Sequence, residues 1–123
     1  MKIDYNLAYL FSQEECMDYQ KIYDRLIDRS YERTDYSELL ECHHIIPRSL
    51  GGKDIQGNIC YLTMDEHHLA HMLLYKLYGG SQIFSVECFY HYQRTKHYTM
   101  KEMPRWVRRR CTIERAKLNR QRR

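Results

Sequence analysis

The chain has 123 residues, enough for one modest hydrophobic core, and a net charge of +4. Its 43% hydrophobic and 29% charged residues are typical of a soluble globular protein. No apolar run approaches the roughly 20 residues of a membrane span, and acidic residues follow the short apolar patch at 7–11, so we expect a cytoplasmic protein without a signal peptide. Five cysteines without a C-x-x-C pair indicate reduced thiols, not a zinc ribbon.

The first half of the chain predicts one helix followed by a strand. Ser12–Glu15 fits a capping box, and apolar residues then recur at helical spacing, so we expect a helix over about 13–32. A polar connection leads to Leu39–Ile46, which predicts a strand that Pro47 ends. The glycine-rich segment 48–58 is then a loop.

The second half predicts a short strand and three helices. Ile59–Leu62 is the strand, and Thr63–Glu66 is a second capping box that opens a helix over about 64–78, which Gly79 ends. The order strand, loop, strand, helix predicts an α+β fold. Further helices are predicted over 82–95 and, after the break at Met103-Pro104, over 105–121.

The positive charge is concentrated at the carboxyl end. Residues 101–123 hold ten Lys and Arg against two Asp and Glu, whereas residues 1–100 hold ten against fourteen. A tail of this kind usually binds a polyanion, most often nucleic acid, although a solubilising or disordered terminus has the same composition. We therefore expect a domain over 1–100 and a basic helical tail over 101–123.

Two histidines on the predicted helix over 64–78 have the spacing of metal ligands. His67 and His71 are four residues apart, so their imidazoles lie on one face and can hold one divalent ion. Such a pair is more often incidental than a metal site. The H-E-x-x-H motif of zincins is excluded because His68, not a glutamate, follows His67.

A second pair, His43-His44, lies near the end of the first predicted strand. Adjacent strand residues point to opposite faces, so one imidazole could hold a metal while the other acts as a general base. The alternative is one buried and one exposed histidine without a chemical role. Asn58, which ends the loop, is either a turn residue or a side chain that fixes the loop and orients a histidine.

The order of these residues resembles the HNH nuclease motif. The string is C-H-H-I-I-P-R-S-L-G-G-(x5)-N-(x8)-H-(x3)-H from Cys42 to His71. Its flanks, YQKIYDRLIDRS and CYLTMDEHHLAHMLLYKLYGG, are similar to small free-standing HNH proteins of bacteriophages, often described as homing endonucleases. The resemblance implies a ββα-metal core over 39–80, a short hairpin packed on a helix with flanking helices.

The resemblance also implies roles for the site residues. His43, His67 and His71 would hold one divalent cation, His44 would take a proton from the attacking water, and Asn58 would position His44 and brace the loop. Mg or Mn would be supplied in the cell, while three imidazoles also suit Zn, Ni or Co. His43 stands where many relatives have Asp, and the C-x-x-C pairs of some relatives are missing.

The expected partner is DNA, cut in the cytoplasm of a host cell by a monomer or weak homodimer. Backbone phosphates would be contacted by a set of basic residues: Arg48, Lys53, Arg105, Arg108, Arg109, Arg110, Arg115 and Lys117. Two alternatives remain at this point. One is a non-specific or packaging-associated HNH nuclease, and the other is a catalytically inactive, metal-stabilised DNA-binding module.

Overall fold

The computed structural model describes residues 17–91 and 103–121. These residues form one antiparallel two-stranded hairpin and four helices, which confirms the predicted α+β class and is compatible with a ββα-metal core. The chain divides into two compact units, Met1–Ala70 and His71–Arg123, and the boundary falls inside one continuous helix. None of the described helices is both long enough and apolar enough to cross a membrane.

The first described helix, α1, spans Tyr19–Tyr31. It begins later than the predicted 13–32 because Asp18 is extended and caps it, its carboxylate accepting from the Lys21 amide at 3.0 Å. The predicted capping box at Ser12–Glu15 lies outside the described residues. The buried face consists of Tyr23, Leu26 and Ile27. The charged residues at its start and on its other faces are exposed: Asp18, Lys21, Asp24, Arg25 and Asp28.

The hairpin pairs β1 (Leu40–His44) with β2 (Ile59–Thr63). In its register His43 lies opposite Cys60, and both side chains are buried. Strand β1 ends earlier than the predicted 39–46 because the chain bends after His44 towards the loop. The two neighbouring histidines therefore occupy opposite faces of the last paired residues of β1.

The loop between the strands is tightened where two stretches of backbone touch. Gly51 adopts a left-handed conformation with φ of +91°, and the Gly52 amide donates to the Pro47 carbonyl at 3.0 Å. A Cβ at residue 52 would lie 1.7 Å from the Ile46 carbonyl oxygen. Only glycine therefore allows this part of the loop to close on the end of β1.

Helix α2 spans Met64–Tyr78, as predicted. Its capping box is formed reciprocally: Thr63 Oγ1 accepts from the Glu66 amide at 3.2 Å, and Glu66 Oε1 accepts from the Thr63 amide at 2.8 Å. The Glu66 carboxylate also pairs with Arg33. The helix ends where Gly79, with φ of +63°, donates its amide to the Tyr75 carbonyl at 2.7 Å.

The second unit contains α3 (Gln82–His91) and α4 (Arg105–Gln121). Val107 and Cys111 are buried on the face of α4 that packs against α3. The predicted 105–121 helix is confirmed, whereas residues 92–95 of the predicted third helix lie outside the described residues. Four cationic side chains of α4 are exposed: Arg105, Arg108, Arg109 and Arg110.

Candidate metal centre and active site

His43 is held from behind by a tyrosine of α1. Its side chain is buried, and its ring centroid lies 5.1 Å from that of His67. The Tyr23 hydroxyl donates to the Ile45 carbonyl at 2.7 Å and lies 2.8 Å from His43 Nε2. Because the hydroxyl has one hydrogen and gives it to the carbonyl, His43 Nε2 is the donor in the second contact. The lone pair of His43 is therefore on Nδ1.

His67, one turn into α2, is oriented by a carboxylate of the hairpin. Its Nδ1 lies 2.8 Å from Glu41 Oε1, and both side chains are largely buried. An ionised carboxylate only accepts, so Nδ1 carries the hydrogen and Nε2 carries the lone pair. A carboxylate behind an imidazole is the usual arrangement around protein-bound metals, where it fixes the ring and raises its basicity.

His71 follows His67 by one helical turn and completes a group of three. One ligand atom from each of His43, His67 and His71 lies within 4.8 Å of the others, so the three imidazoles could hold a metal ion. The residue types fit such an ion, since neutral imidazole is a common ligand of zinc and its neighbours. The structure therefore brings the three predicted ligand side chains together.

The environment keeps His43 in the protonation state that a ligand needs. Burial, reinforced by the nearby His67 and His44, lowers the pKa of His43 from 6.5 to about 3. The imidazole is therefore neutral at physiological pH and needs to release no proton before it binds a cation.

His44 faces the other way and contacts the loop. Its Nε2 lies 2.6 Å from Asp54 Oδ1, and about a fifth of its side chain is exposed. Arg48 donates to the same carboxylate from Nε and Nη2, each at 3.0 Å. The hydrogen bond from His44, together with those from Arg48, lowers the pKa of Asp54 below its usual value. Asp54 is thus an ionised acceptor between an imidazole and a guanidinium.

Asn58 is buried and braces the loop. Its Oδ1 accepts from the Ile46 amide at 2.8 Å, and its Nδ2 donates to the carbonyls of Ile46 and Lys53, each at 3.0 Å. Its own carbonyl accepts from the Ile45 amide at 2.9 Å. Among the described residues, these amide bonds go to the main chain and not to the His44 ring, so Asn58 acts on His44 only through the loop.

The basic residues predicted to contact phosphate differ in their surroundings. Arg48 is paired with Asp54, and the Lys53 side chain is exposed. In α4, Arg115 pairs with Glu87 and lies over the Phe84 ring at 5.2 Å, which gives it a packing role. Lys117 lies 3.2 Å from Glu114. The remaining predicted contacts are exposed: Arg105, Arg108, Arg109 and Arg110.

Sequence reasoning did not find three residues that contact the site histidines. They are Tyr23, Glu41 and Asp54. Glu41 lies two residues before His43 on the same strand, and that spacing could have indicated it. Tyr23 and Asp54 belong to a helix and a loop, and no spacing in the sequence indicates their contacts. The His91 side chain and all of His97 lie outside the described structure.

Comparison with known proteins finds relatives from one phage. The chain is 42% identical over 85 residues to Probable mobile endonuclease E of Enterobacteria phage T4, a match that covers 67% of this chain and 60% of that protein. It is 46% identical over 66 residues to Probable mobile endonuclease B of the same phage, covering 50% of this chain and 25% of the relative. Probable mobile endonuclease C is 42% identical over 67 residues, covering 52% and 32%.

The chain thus matches between a quarter and three fifths of the length of these relatives. No family model matches it. No solved structure matches it either.

Proposed function

We propose that this chain is a metal-dependent DNA endonuclease of the HNH type, and that it acts as a phage homing enzyme. The observation that carries the proposal is the convergence of His43, His67 and His71 within 4.8 Å, beside a fourth imidazole, His44, on the other face of β1. The relatives are named probable mobile endonucleases of phage T4, and these names support both the reaction and the homing role.

The three imidazoles of His43, His67 and His71 would hold one divalent cation. When bound, the cation would stabilise negative charge on the attacked phosphate and on the leaving oxygen. Tyr23 and Glu41 orient two of these rings from behind, so the donor atoms face inward before any ion arrives. Three nitrogen donors favour Zn, Ni, Co or Mn over Mg, which prefers oxygen, although the cell would supply Mg or Mn.

His44 would act as the general base. It takes a proton from the attacking water, and the products are a 5′-phosphate and a 3′-hydroxyl. A side chain that transfers a proton needs access to water, and His44 is partly exposed whereas His43 is buried. Asn58 would support this reaction by fixing the loop that packs against the end of β1.

The exposed arginines of α4 would grip the DNA backbone. They are Arg105, Arg108, Arg109 and Arg110. Lys53 would add a contact from the loop. Arg48, Arg115 and Lys117 would contribute less because acidic residues already pair with them. Affinity should fall steeply with salt, since each neutralised phosphate releases counterions.

A plasmid-nicking assay tests the proposal. Wild type and His44→Ala are compared on supercoiled plasmid with Mg, Mn, Ni and Zn, with Asp28→Asn, an exposed change on α1, as the matched control. We expect wild type and the control to cut with at least one metal and His44→Ala to be slower by about 10²- to 10⁴-fold. A wild type that leaves plasmid supercoiled with every metal overturns the enzyme and favours the inactive DNA-binding module.

Mapping the cuts on phage and host DNA tests the homing role separately. One dominant site supports it, whereas scattered nicks support the non-specific or packaging-associated nuclease.

Zn binding to the metal-free protein, measured by calorimetry, tests the three-histidine site without cleavage. His67→Ala should weaken that binding by more than 100-fold, and unchanged binding would overturn the ligand set.

A further inference from the structure

We propose that Asp54 is a positioning residue for the general base, accepting a hydrogen bond from His44 Nε2 so that Nδ1 faces the water. This inference rests on the proposed function of His44. It assigns a role to a loop carboxylate that the sequence pattern did not single out.

The geometry fixes which nitrogen of His44 is protonated. Asp54 Oδ1 lies 2.6 Å from Nε2, a short distance for a hydrogen bond between a ring nitrogen and a carboxylate. The ionised carboxylate has no hydrogen to give, so Nε2 is the donor. A neutral imidazole with hydrogen on Nε2 has its lone pair on Nδ1, and that nitrogen is the one able to accept a proton.

The carboxylate is itself held in place. Arg48 binds both of its oxygens in a fork, with two contacts of 3.0 Å, which fixes the plane of the group. The main chain before Asp54 is anchored because Asn58 Nδ2 donates to the Lys53 carbonyl at 3.0 Å. Asn58 therefore influences His44 indirectly, by anchoring the main chain beside Asp54.

The proposed proton transfer needs His44, Asp54 and solvent water. As the water oxygen bonds to phosphorus, its proton passes to His44 Nδ1 and the bond from phosphorus to the 3′ oxygen breaks. The imidazolium so formed is stabilised by the Asp54 carboxylate on its other side. The leaving oxygen then takes a proton from solvent, and His44 returns its extra proton to solvent.

The same contacts could instead make Asp54 an inhibitory group, and its removal would then change the activity in the opposite direction. His44 and Arg48 are both groups that contact an anion, so Asp54 could stand where the DNA phosphate binds and hold the site inactive. Two observations favour the positioning role: Asp54 contacts His44 through Nε2, and Asn58 anchors the loop that carries Asp54. A carboxylate in the phosphate site would instead contact Nδ1, the nitrogen that meets the water in the proposed mechanism. Removing the charge would lower activity in the first case and raise it in the second.

The test uses the full chain, supercoiled plasmid and Mn, with Asp54→Asn, Asp54→Glu and the Asp28→Asn control. We expect Asp54→Asn to lower kcat by about 10- to 100-fold while KM for plasmid and the Kd for Zn change by less than threefold. Asp54→Glu should recover part of the loss. Adding Asp54→Asn to His44→Ala should cause no further loss, because the carboxylate acts only through that ring.

A readout without cleavage completes the test. Nitrogen-15 spectra of the metal-free protein should show the His44 ring with hydrogen on Nε2 in wild type and a mixture of the two tautomers in Asp54→Asn. An Asp54→Asn enzyme that cuts as fast as wild type, or faster, overturns the positioning role, as does an equal loss in the His44→Ala background. If His44→Ala cuts like wild type, the base assignment has failed, and the role of Asp54 fails with it.

Discussion

Replacing Gly52 by alanine should displace the loop between β1 and β2. The new Cβ would lie 1.7 Å from the Ile46 carbonyl oxygen, 2.6 Å from its carbon and 2.9 Å from Asn58 Nδ2. Contacts this short cannot exist, so the loop must move away from the end of β1. That movement breaks the hydrogen bonds between Ile46 and the Asn58 amide, which the structure gives at 2.8 and 3.0 Å.

The size of the effect follows from two terms. Forced overpacking costs about 1–3 kcal/mol, and each of the two lost hydrogen bonds about 0.5–1.5 kcal/mol. We therefore expect the free energy of unfolding of Gly52→Ala to fall by roughly 2–6 kcal/mol. Gly57→Ala is the matched control in the same loop, since a Cβ at Gly57 meets nothing within 4 Å and its φ is not positive. Its stability should stay within about 1 kcal/mol of wild type.

Urea denaturation of the metal-free proteins, followed by circular dichroism, measures both variants. Gly52→Ala should also lose nicking activity, because Asn58 and Asp54 are carried by the displaced loop. If Gly52→Ala is within 1 kcal/mol of wild type, the close approach of the two backbones is wrong. If Gly57→Ala loses as much as Gly52→Ala, the loss does not come from the contact with Ile46.

Three further outcomes are expected. The metal-free protein should lose up to about 5 kcal/mol of unfolding free energy as the pH falls from about 6.5 to about 3, because only the unfolded state protonates His43 in that range. A His43→Phe variant should therefore show a flatter dependence of the urea midpoint on pH. An unchanged dependence in that variant would contradict this prediction. Tyr23→Phe should weaken Zn binding by about 10- to 100-fold in calorimetry, whereas Tyr31→Phe, whose hydroxyl donates to the Ile59 carbonyl, should leave it unchanged; equal effects would refute the role of Tyr23. Thr63→Ala should lower the free energy of unfolding by about 1 kcal/mol, whereas Thr63→Ser should keep most of the cap, and equal losses would argue against the hydroxyl.

The parts of the site that the sequence predicted are those fixed by local periodicity. The helical period places His67 and His71 on one face, and the capping box at Thr63 sets where α2 begins. The alternation of a strand places His43 and His44 on opposite faces. Each of these inferences needs only neighbours within one element, so a single sequence was enough.

The parts that could not be predicted depend on contacts between distant segments. Tyr23 meets His43 across 20 positions, and Asp54 meets His44 across ten, through a loop whose path depends on where Gly52 touches Ile46. The predicted start of α1 was also wrong, because Asp18 caps the helix at a point where the apolar pattern has already begun. Periodicity describes an element but not which side chain of another element reaches it.

Under the proposed mechanism, the pairing of His43 with Cys60 and of His44 with Ile59 decides which imidazole would hold the metal and which would act as the base. Side chains of a strand exchange faces when the pairing slips by one position, so a one-residue insertion within β1 would turn the buried ring outward and the solvent-facing ring inward. The two histidines are chemically identical, and only the parity of the strand distinguishes them. Insertions that leave the strand pairing unchanged should be confined to the exposed turns of the loop. Within β1 itself, an insertion or deletion of an odd number of residues should not be tolerated.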